Sequence, residues 1–257
     1  MPYFDKIPPE INRQLKEIHE AYHDQVTDPQ FSVKQAKRIN LKNMAGHAAS
    51  EQESDDWNLL DYFLWHGRPQ ETKKNMMLDA NICFVVKGDV TVLEYDMHGE
   101  QRHVYSACVG EVINLDLLAN EDRARLRFIR ADTAGKLLVM SPTKFKEKVL
   151  PKMTDSVVIE MLGELDKYGT QSTDKSRYSK RHSILAVYNF VTQYLLRSDQ
   201  VITTPEGLGV QRLSNIRIGE ACNLSREMTG RVFNILEQYG YVYRNGMKLV
   251  IPTTLEK

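Results

Sequence analysis

Between Ser214 and Ile251 the chain places charged and small residues at intervals that suit contact with a nucleic-acid duplex. Ser214 is positioned to cap a helix over Asn215–Cys222, Asn223-Leu224 makes a tight turn, and Ser225 caps a second helix over Arg226–Gln238. At about 100° per residue, Arg226, Gly230, Asn234, Glu227 and Arg231 share one sector of the second helix. Ile235, Met228, Val232 and Leu236 fill an apolar sector. Arginine can donate to both O6 and N7 of guanine, and glutamate can accept from N4 of cytosine. The small Gly230 would let the helix approach base edges closely. The bland alternative is a surface helix whose charges are merely solvated. The residues beyond the helix argue against it: Tyr241-Val242-Tyr243-Arg244 and Met247–Ile251 flank Asn245-Gly246, the signature of a type I′ hairpin. Two capped helices and then a hairpin describe a winged helix-turn-helix.

Composition sets the wider frame. The chain has 257 residues, 42% hydrophobic and 26% charged, with a formal net charge of +0. The charge is unevenly distributed: residues 179–257 hold ten Lys/Arg against six Asp/Glu, or +4, leaving −4 on residues 1–178. A basic end fits a separate DNA-binding module. No apolar run approaches the roughly 18–20 residues of a membrane span. The N-terminal residues lack a basic segment followed by an apolar core, so neither a secretory signal nor a membrane is expected, and the cytoplasm is the expected location. Cys83, Cys108 and Cys222 are odd in number and far apart, against a disulfide framework. No CxxC pair, P-loop or GxGxxG occurs, and neither a metal centre nor catalysis is expected.

The remaining elements must carry and position that end. Ile11, Leu15, Ile18, Tyr22 and Val26 recur at helical spacing after Pro8-Pro9, predicting one amphipathic helix in a polar extension over 1–56. Trp57–His66 is a short apolar helix. From Asn81 the pattern turns strand-like: Ile82–Val86, Val90–Leu93, Arg102–Ala107, Leu126–Ala131 and Lys136–Met140, separated by Gly and Asp turns, predict an antiparallel roll over 57–153. Ser141-Pro142 starts a helix. Over 154–178, Val158, Met161, Leu165, Tyr168 and Ser172 follow a 3,4 spacing, apolar at first and then polar, which suits a short coiled-coil seam with a partner; the bland alternative is an ordinary helix packed on its own domain. Ser179–Arg197 begins the DNA-binding domain (179–257), and Ser198–Gly209 reads as a polar loop.

The segment Ile218–Arg231, with its Ser-Arg-Glu-x-x-Gly-Arg core, resembles the signature of the CRP/FNR superfamily of bacterial regulators. The resemblance extends through Val85–Leu93, Arg130-Ala131-Asp132-Thr133-Ala134 and Thr143-Lys144-Phe145, covering about residues 57–257. It implies an α+β chain: an N-terminal β-roll, a long dimerisation helix and a C-terminal winged helix. It further implies a homodimer that regulates transcription by binding a near-palindrome of TGTGA-like half-sites through Arg226, Glu227 and Arg231. Ser225, through its hydroxyl or the helix N-terminus, and Lys180 and Ser214 would add contacts to the DNA backbone. Double-stranded DNA and a second copy are the expected partners, with RNA polymerase left open as a further one.

The effector pocket departs from the family pattern. Cyclic-nucleotide binders in the family carry Gly-Glu and, about ten residues later, Arg-Ser or Arg-Thr. Here Asn114-Leu115 and Arg125-Leu126 fall at those positions, so the ribose acceptor and the phosphate hydroxyl are missing. A second register would use Gly110-Glu111 and Arg123-Ala124. The stretch from Trp57 to Gly88 is short for the family, suggesting missing strands. No cofactor is expected, cyclic AMP is not the expected effector, and Cys83 and Cys108 stay open as redox-active groups. The alternative function is a small-ligand or redox sensor whose helix-turn-helix serves protein contact, in which Arg226 and Arg231 would be dispensable.

Overall fold

The computed structural model describes residues 7–31, 57–96, 98–178, 182–198, 201–211, 213–245 and 248–255. The chain divides into two compact units, Ala36–Thr173 and a second built from both chain ends, Met1–Gln35 with Asp174–Lys257.

The first unit is an antiparallel β-roll of two four-stranded sheets. One sheet has the order β1 (Arg68–Thr72), β8 (Gly135–Met140), β3 (Ile82–Lys87), β6 (Val112–Ile113). The other runs β2 (Met77–Asp79), β7 (Arg127–Ala131), β4 (Val90–Tyr95), β5 (Gln101–Ala107). The run Ile-Cys-Phe-Val-Val in β3 is buried on both faces. Cys83 and Val85 meet Val92, Tyr105 and Ile129 of the opposing sheet. Ile82, Phe84 and Val86 instead pack with Trp57, Tyr62, Phe63 and Phe145, residues in and beside α2 (Leu59–His66) and α3 (Pro142–Lys148). Continuous apolar strands of this kind follow from burial on both sides. The β3–β4 turn depends on Gly88, at φ +86°, where an added Cβ would lie 2.9 Å from Thr133 Oγ1. The strands expected to be missing between Trp57 and Gly88 are not lost: that stretch contains β1, β2 and β3.

Next comes α4 (Asp155–Tyr178). Its first turns lie on the roll, with Val157 buried in the same core and Met161 and Leu165 packed against it. The buried Glu164 accepts from the Val112 amide at 3.2 Å.

In the second unit, α5 (Ser183–Arg197) supplies the central apolar face, burying Leu185, Tyr188, Val191 and Leu195. The region read as a polar loop contains β9 (Val201–Thr203) and β10 (Gly207–Gln211), which join β12 (Lys248–Pro252) and β11 (Tyr243–Asn245) in one sheet. The N-terminal helix α1 (Pro9–Thr27) forms where the apolar spacing predicts, with proline at its first position. It belongs to this unit and packs on α5. Its buried face is Leu15, His19 and Tyr22. His19 Nδ1 shares a 2.6 Å hydrogen bond with the Tyr188 hydroxyl.

Burial lowers the His19 pKa below its ordinary 6.5, the neighbouring His23 adds to that, and the Thr253 backbone opposes it. Tyr22, Tyr188 and Tyr241 ring the imidazole, and burial raises the pKa of each of them, so they stay neutral. As pH falls below 6.5 the unfolded chain therefore binds a proton that the folded unit resists, so stability falls with pH in that window. Denaturant melts at pH 7.5 and 5.5 are expected to show this loss, and His19→Gln is expected to reduce it, leaving the share of His182, whose pKa burial also lowers.

Candidate nucleic-acid interface

The helix-turn-helix forms at the boundaries the sequence predicts: α6 spans Asn215–Cys222 and α7 spans Arg226–Gln238. Ser214 Oγ accepts from the Arg217 amide at 3.3 Å, and Ser225 Oγ accepts from the Met228 amide at 3.1 Å. Both serines therefore use their side chains to satisfy otherwise orphaned helix donors. Between the helices Asn223 adopts the left-handed conformation (φ 57°), and the Leu224 amide donates back to Gly219 O at 2.8 Å. Gly219 permits this closure, because a Cβ there would lie 2.6 Å from Leu224 O and 3.0 Å from Thr229 Oγ1.

The outward sector of α7 carries Arg226, Glu227, Arg231 and Asn234, all exposed, around a half-buried Gly230. The inward sector is Thr229, Val232, Phe233 and Leu236. This is rotated from the apolar sector read off the sequence: Phe233 and Thr229 are buried, whereas Met228 and Ile235 stay half-exposed. Arg231 and Glu227 form an i,i+4 ion pair at 2.5 Å, which restrains both heads on the outer face. An exposed pair of this kind adds little stability, so its value lies in orientation. Lys180 lies outside the described residues.

Sequence reasoning missed how the wing is held. Arg244 on β11 donates from Nε to Glu237 Oε1 at 2.7 Å and from an Nη to Asn234 Oδ1 at 2.6 Å, with a further bond to Glu237 Oε2. Its guanidinium lies 5.7 Å from the Phe233 ring centroid. Wing and helix are thereby joined on the side that carries the exposed charges. An arginine beside an Asn-Gly turn is the only signal of this in the sequence.

At Gly230 an added Cβ would meet only Asn215 Nδ2, at an ordinary 3.5 Å. Nothing inside the described residues requires glycine there. Gly230→Ala is therefore expected to raise thermal stability, by up to about 1 kcal/mol from helix propensity. If a duplex is what approaches this face, the same variant is expected to bind it more weakly. Thermal melts and DNA titrations of one preparation check both signs.

The residues expected to form the dimer seam divide. Val158 is exposed at the 36% level, while Met161 and Leu165 turn partly onto the roll's own core. Ile159 and Leu162, absent from the 3,4 reading, are the most exposed apolar side chains of this stretch, at 69% and 55%. The side chains of Tyr168 and Ser172 lie outside the described residues.

The pocket positions are occupied by the chain itself. Asn114 is fully buried in the left-handed conformation (φ 63°), giving its amide to the Tyr105 hydroxyl at 2.8 Å and its Nδ2 to Asn81 O at 2.9 Å. Leu115 lies in the helix-side core, whereas Arg125 is exposed and Leu126 is 50% exposed. In the second register, Glu111 is buried and accepts from the Cys108 amide at 2.8 Å, and Arg123 reaches Asp116 at 3.5 Å. The arginine that does enter the roll is Arg127, which sequence reasoning did not single out. It is 2% exposed, bonded to both Asp116 carboxylate oxygens at 2.8 Å and to Glu94 at 3.1 Å. Burial alone would lower its pKa, but these carboxylates outweigh burial and keep it charged.

All three cysteines are free and buried, and burial pushes the Cys83 thiol well above its ordinary range. Such a thiol reacts slowly, which argues against a redox role for Cys83. Among the described residues no cluster of three His, Cys, Asp or Glu side chains suits a metal, and no helix is long and apolar enough to cross a membrane.

No family model matches the chain. Among curated proteins it is 27% identical to the cAMP-activated global transcriptional regulator Vfr of Pseudomonas aeruginosa over 200 residues, 72% of this chain and 89% of Vfr. It is 23% identical to the cAMP-activated global transcriptional regulator CRP of Salmonella typhimurium over 176 residues, 67% of this chain and 81% of CRP. Among solved structures, the c-di-GMP responsive global regulator CLP of Xanthomonas campestris superposes with a TM-score of 0.60 at 20% identity. That match covers 76% of this chain and 98% of CLP.

Proposed function

We propose that the chain is a member of the CRP/FNR superfamily and that it regulates transcription as a homodimer on a near-palindromic DNA site. The observation that carries this reading is the exposed face of α7, where Arg226, Glu227 and Arg231 surround Gly230 on a helix capped by Ser225. Half-sites resembling TGTGA suit two guanidinium donors and one carboxylate acceptor. Ser214, exposed at the start of α6, is placed for a backbone contact. The second copy docks along α4 through Val158, Ile159 and Leu162, so that two recognition helices reach successive major grooves about 34 Å apart.

The regulator works without cyclic AMP. Leu115 and Leu126 offer no hydrogen bond to ribose or phosphate, and Asn114 is committed to Tyr105 and Asn81. The Arg127 guanidinium inside the roll is already neutralised by Asp116 and Glu94, so a phosphate there would have to displace two carboxylates. Vfr and CRP are named as cAMP-activated, and that property is not carried over to this chain.

Selection of bound duplexes from a random library, with and without cyclic AMP, tests the whole reading. The expected product is one inverted-repeat site, recovered equally in both arms. Recovery of no consensus would support the competing view of the helix-turn-helix as a protein-contact module. A consensus obtained only with cyclic AMP would overturn the effector claim alone.

A further inference from the structure

The C-terminal end of α7 is held by residues from the far end of the chain. Gly240, at φ +72°, turns the chain out of the helix, and the Tyr241 amide donates to Leu236 O at 2.9 Å. Tyr241 is therefore fixed to the last turn of α7. Its side chain is 2% exposed, and its hydroxyl donates to α1 at Asn12, whose Oδ1 and backbone oxygen lie at 2.7 and 3.2 Å. Two residues earlier, the Tyr239 hydroxyl accepts from the amide of Ile7, just ahead of α1, at 3.1 Å. The Tyr241 ring also meets Tyr188 of α5 edge-on, with centroids 5.3 Å apart, and Tyr188 in turn is bonded to His19. One aromatic cluster thus ties α1 both to the helix beneath α7 and to the residues that end α7.

We propose that α1 is a brace within the DNA-reading unit and that Asn12 and Tyr241 are positioning residues, setting the tilt at which α7 presents Arg226, Glu227 and Arg231. The inference rests on α7 being the helix that reads DNA. Its physical basis is that a contact face works only when its supporting shell holds it to within about 0.5 Å. The base-reading end of α7 is anchored to the protein by Ser225 and the turn before it, so the other anchor must lie at its far end. There, the Tyr241 hydroxyl bonds to α1 and the Tyr239 hydroxyl to the residue that leads into it.

Full-length Asn12→Ala and Tyr241→Phe test this. Tyr241→Phe keeps the ring packing and deletes only the hydroxyl, so it stays folded even if Asn12→Ala does not. Each is titrated, at a temperature where circular dichroism shows it folded, against the duplex selected for the wild type and a scrambled duplex of equal length. The expected result is a loss of about five- to tenfold on the selected duplex, the worth of one hydrogen bond, with scrambled binding unchanged. Amide exchange at Leu236–Tyr241 is expected to accelerate. The double variant should do no worse than Tyr241→Phe, which already removes both contacts to Asn12, including the side-chain bond that Asn12→Ala deletes. A purely stabilising role would leave the ratio of selected to scrambled affinity at its wild-type value, and that result would overturn the proposal. If Arg231→Ala loses discrimination while both brace variants keep it, only the brace fails. If the wild type itself shows no preference, the reading of α7 fails and the brace with it.

Discussion

Arg231→Ala is expected to cost specific DNA binding about 1–3 kcal/mol per half-site and to relax base preference at one position of each. Over two half-sites this amounts to roughly 30- to 10⁴-fold in affinity. The expectation follows from where the side chain sits. Arg231 is exposed one turn after Glu227, paired with it at 2.5 Å, on a face from which the protein interior is absent. Losing that pair costs the folded protein only about 0.3–0.5 kcal/mol. Thermal stability should therefore scarcely move while specific affinity collapses. Titrations of selected and scrambled duplexes separate the effects: a loss confined to the selected duplex is expected, and equal losses on both would reduce Arg231 to a phosphate contact.

Ile159→Glu with Leu162→Glu is the second large effect. Both side chains are more than half exposed, so the carboxylates meet water in a lone chain and the roll should keep its stability. In a dimer they would lie in the seam, where an unpaired charge is costly. Sedimentation is expected to shift from dimer to monomer. Because one half-site then binds without its linked partner, affinity for the full palindrome should fall by about 10²- to 10⁴-fold. Retention of the dimer would show that another face holds the copies together.

The recognition end was legible in the sequence because each of its signals is local. Ser214 and Ser225 mark helix starts, Asn223 supplies the left-handed turn, and Asn245-Gly246 marks a hairpin, each within a few residues of what it positions. The elements that sequence reasoning missed depend on distant partners. Strand β1, Arg-Pro-Gln-Glu-Thr, has no apolar alternation and becomes a strand only by pairing with β8. Strands β9 and β10 flank a Thr-Pro-Glu-Gly turn that reads as loop until β12 lies beside them. The amphipathic face of α1 announced a partner but could not name α5, most of the chain away. Met161 and Leu165 fit a seam by spacing, yet the same spacing serves a helix lying on its own roll, where both are partly packed, and spacing alone cannot choose between the two. An arginine in a polar-looking strand gave no hint that Asp116 and Glu94 would draw Arg127 into the roll.

Base readout by α7 can be probed at a single atom. The one guanine of each selected half-site at which Arg231→Ala relaxes the base preference is replaced with 7-deazaguanine, removing the N7 acceptor, and affinity is measured for the wild type and Arg231→Ala side by side. The wild type is expected to lose about 1 kcal/mol per half-site, roughly thirtyfold in all, and the variant, which has no guanidinium left there, is expected to bind both duplexes alike. An equal loss in both proteins, or no loss in either, would contradict the placement of this face of α7 in the major groove.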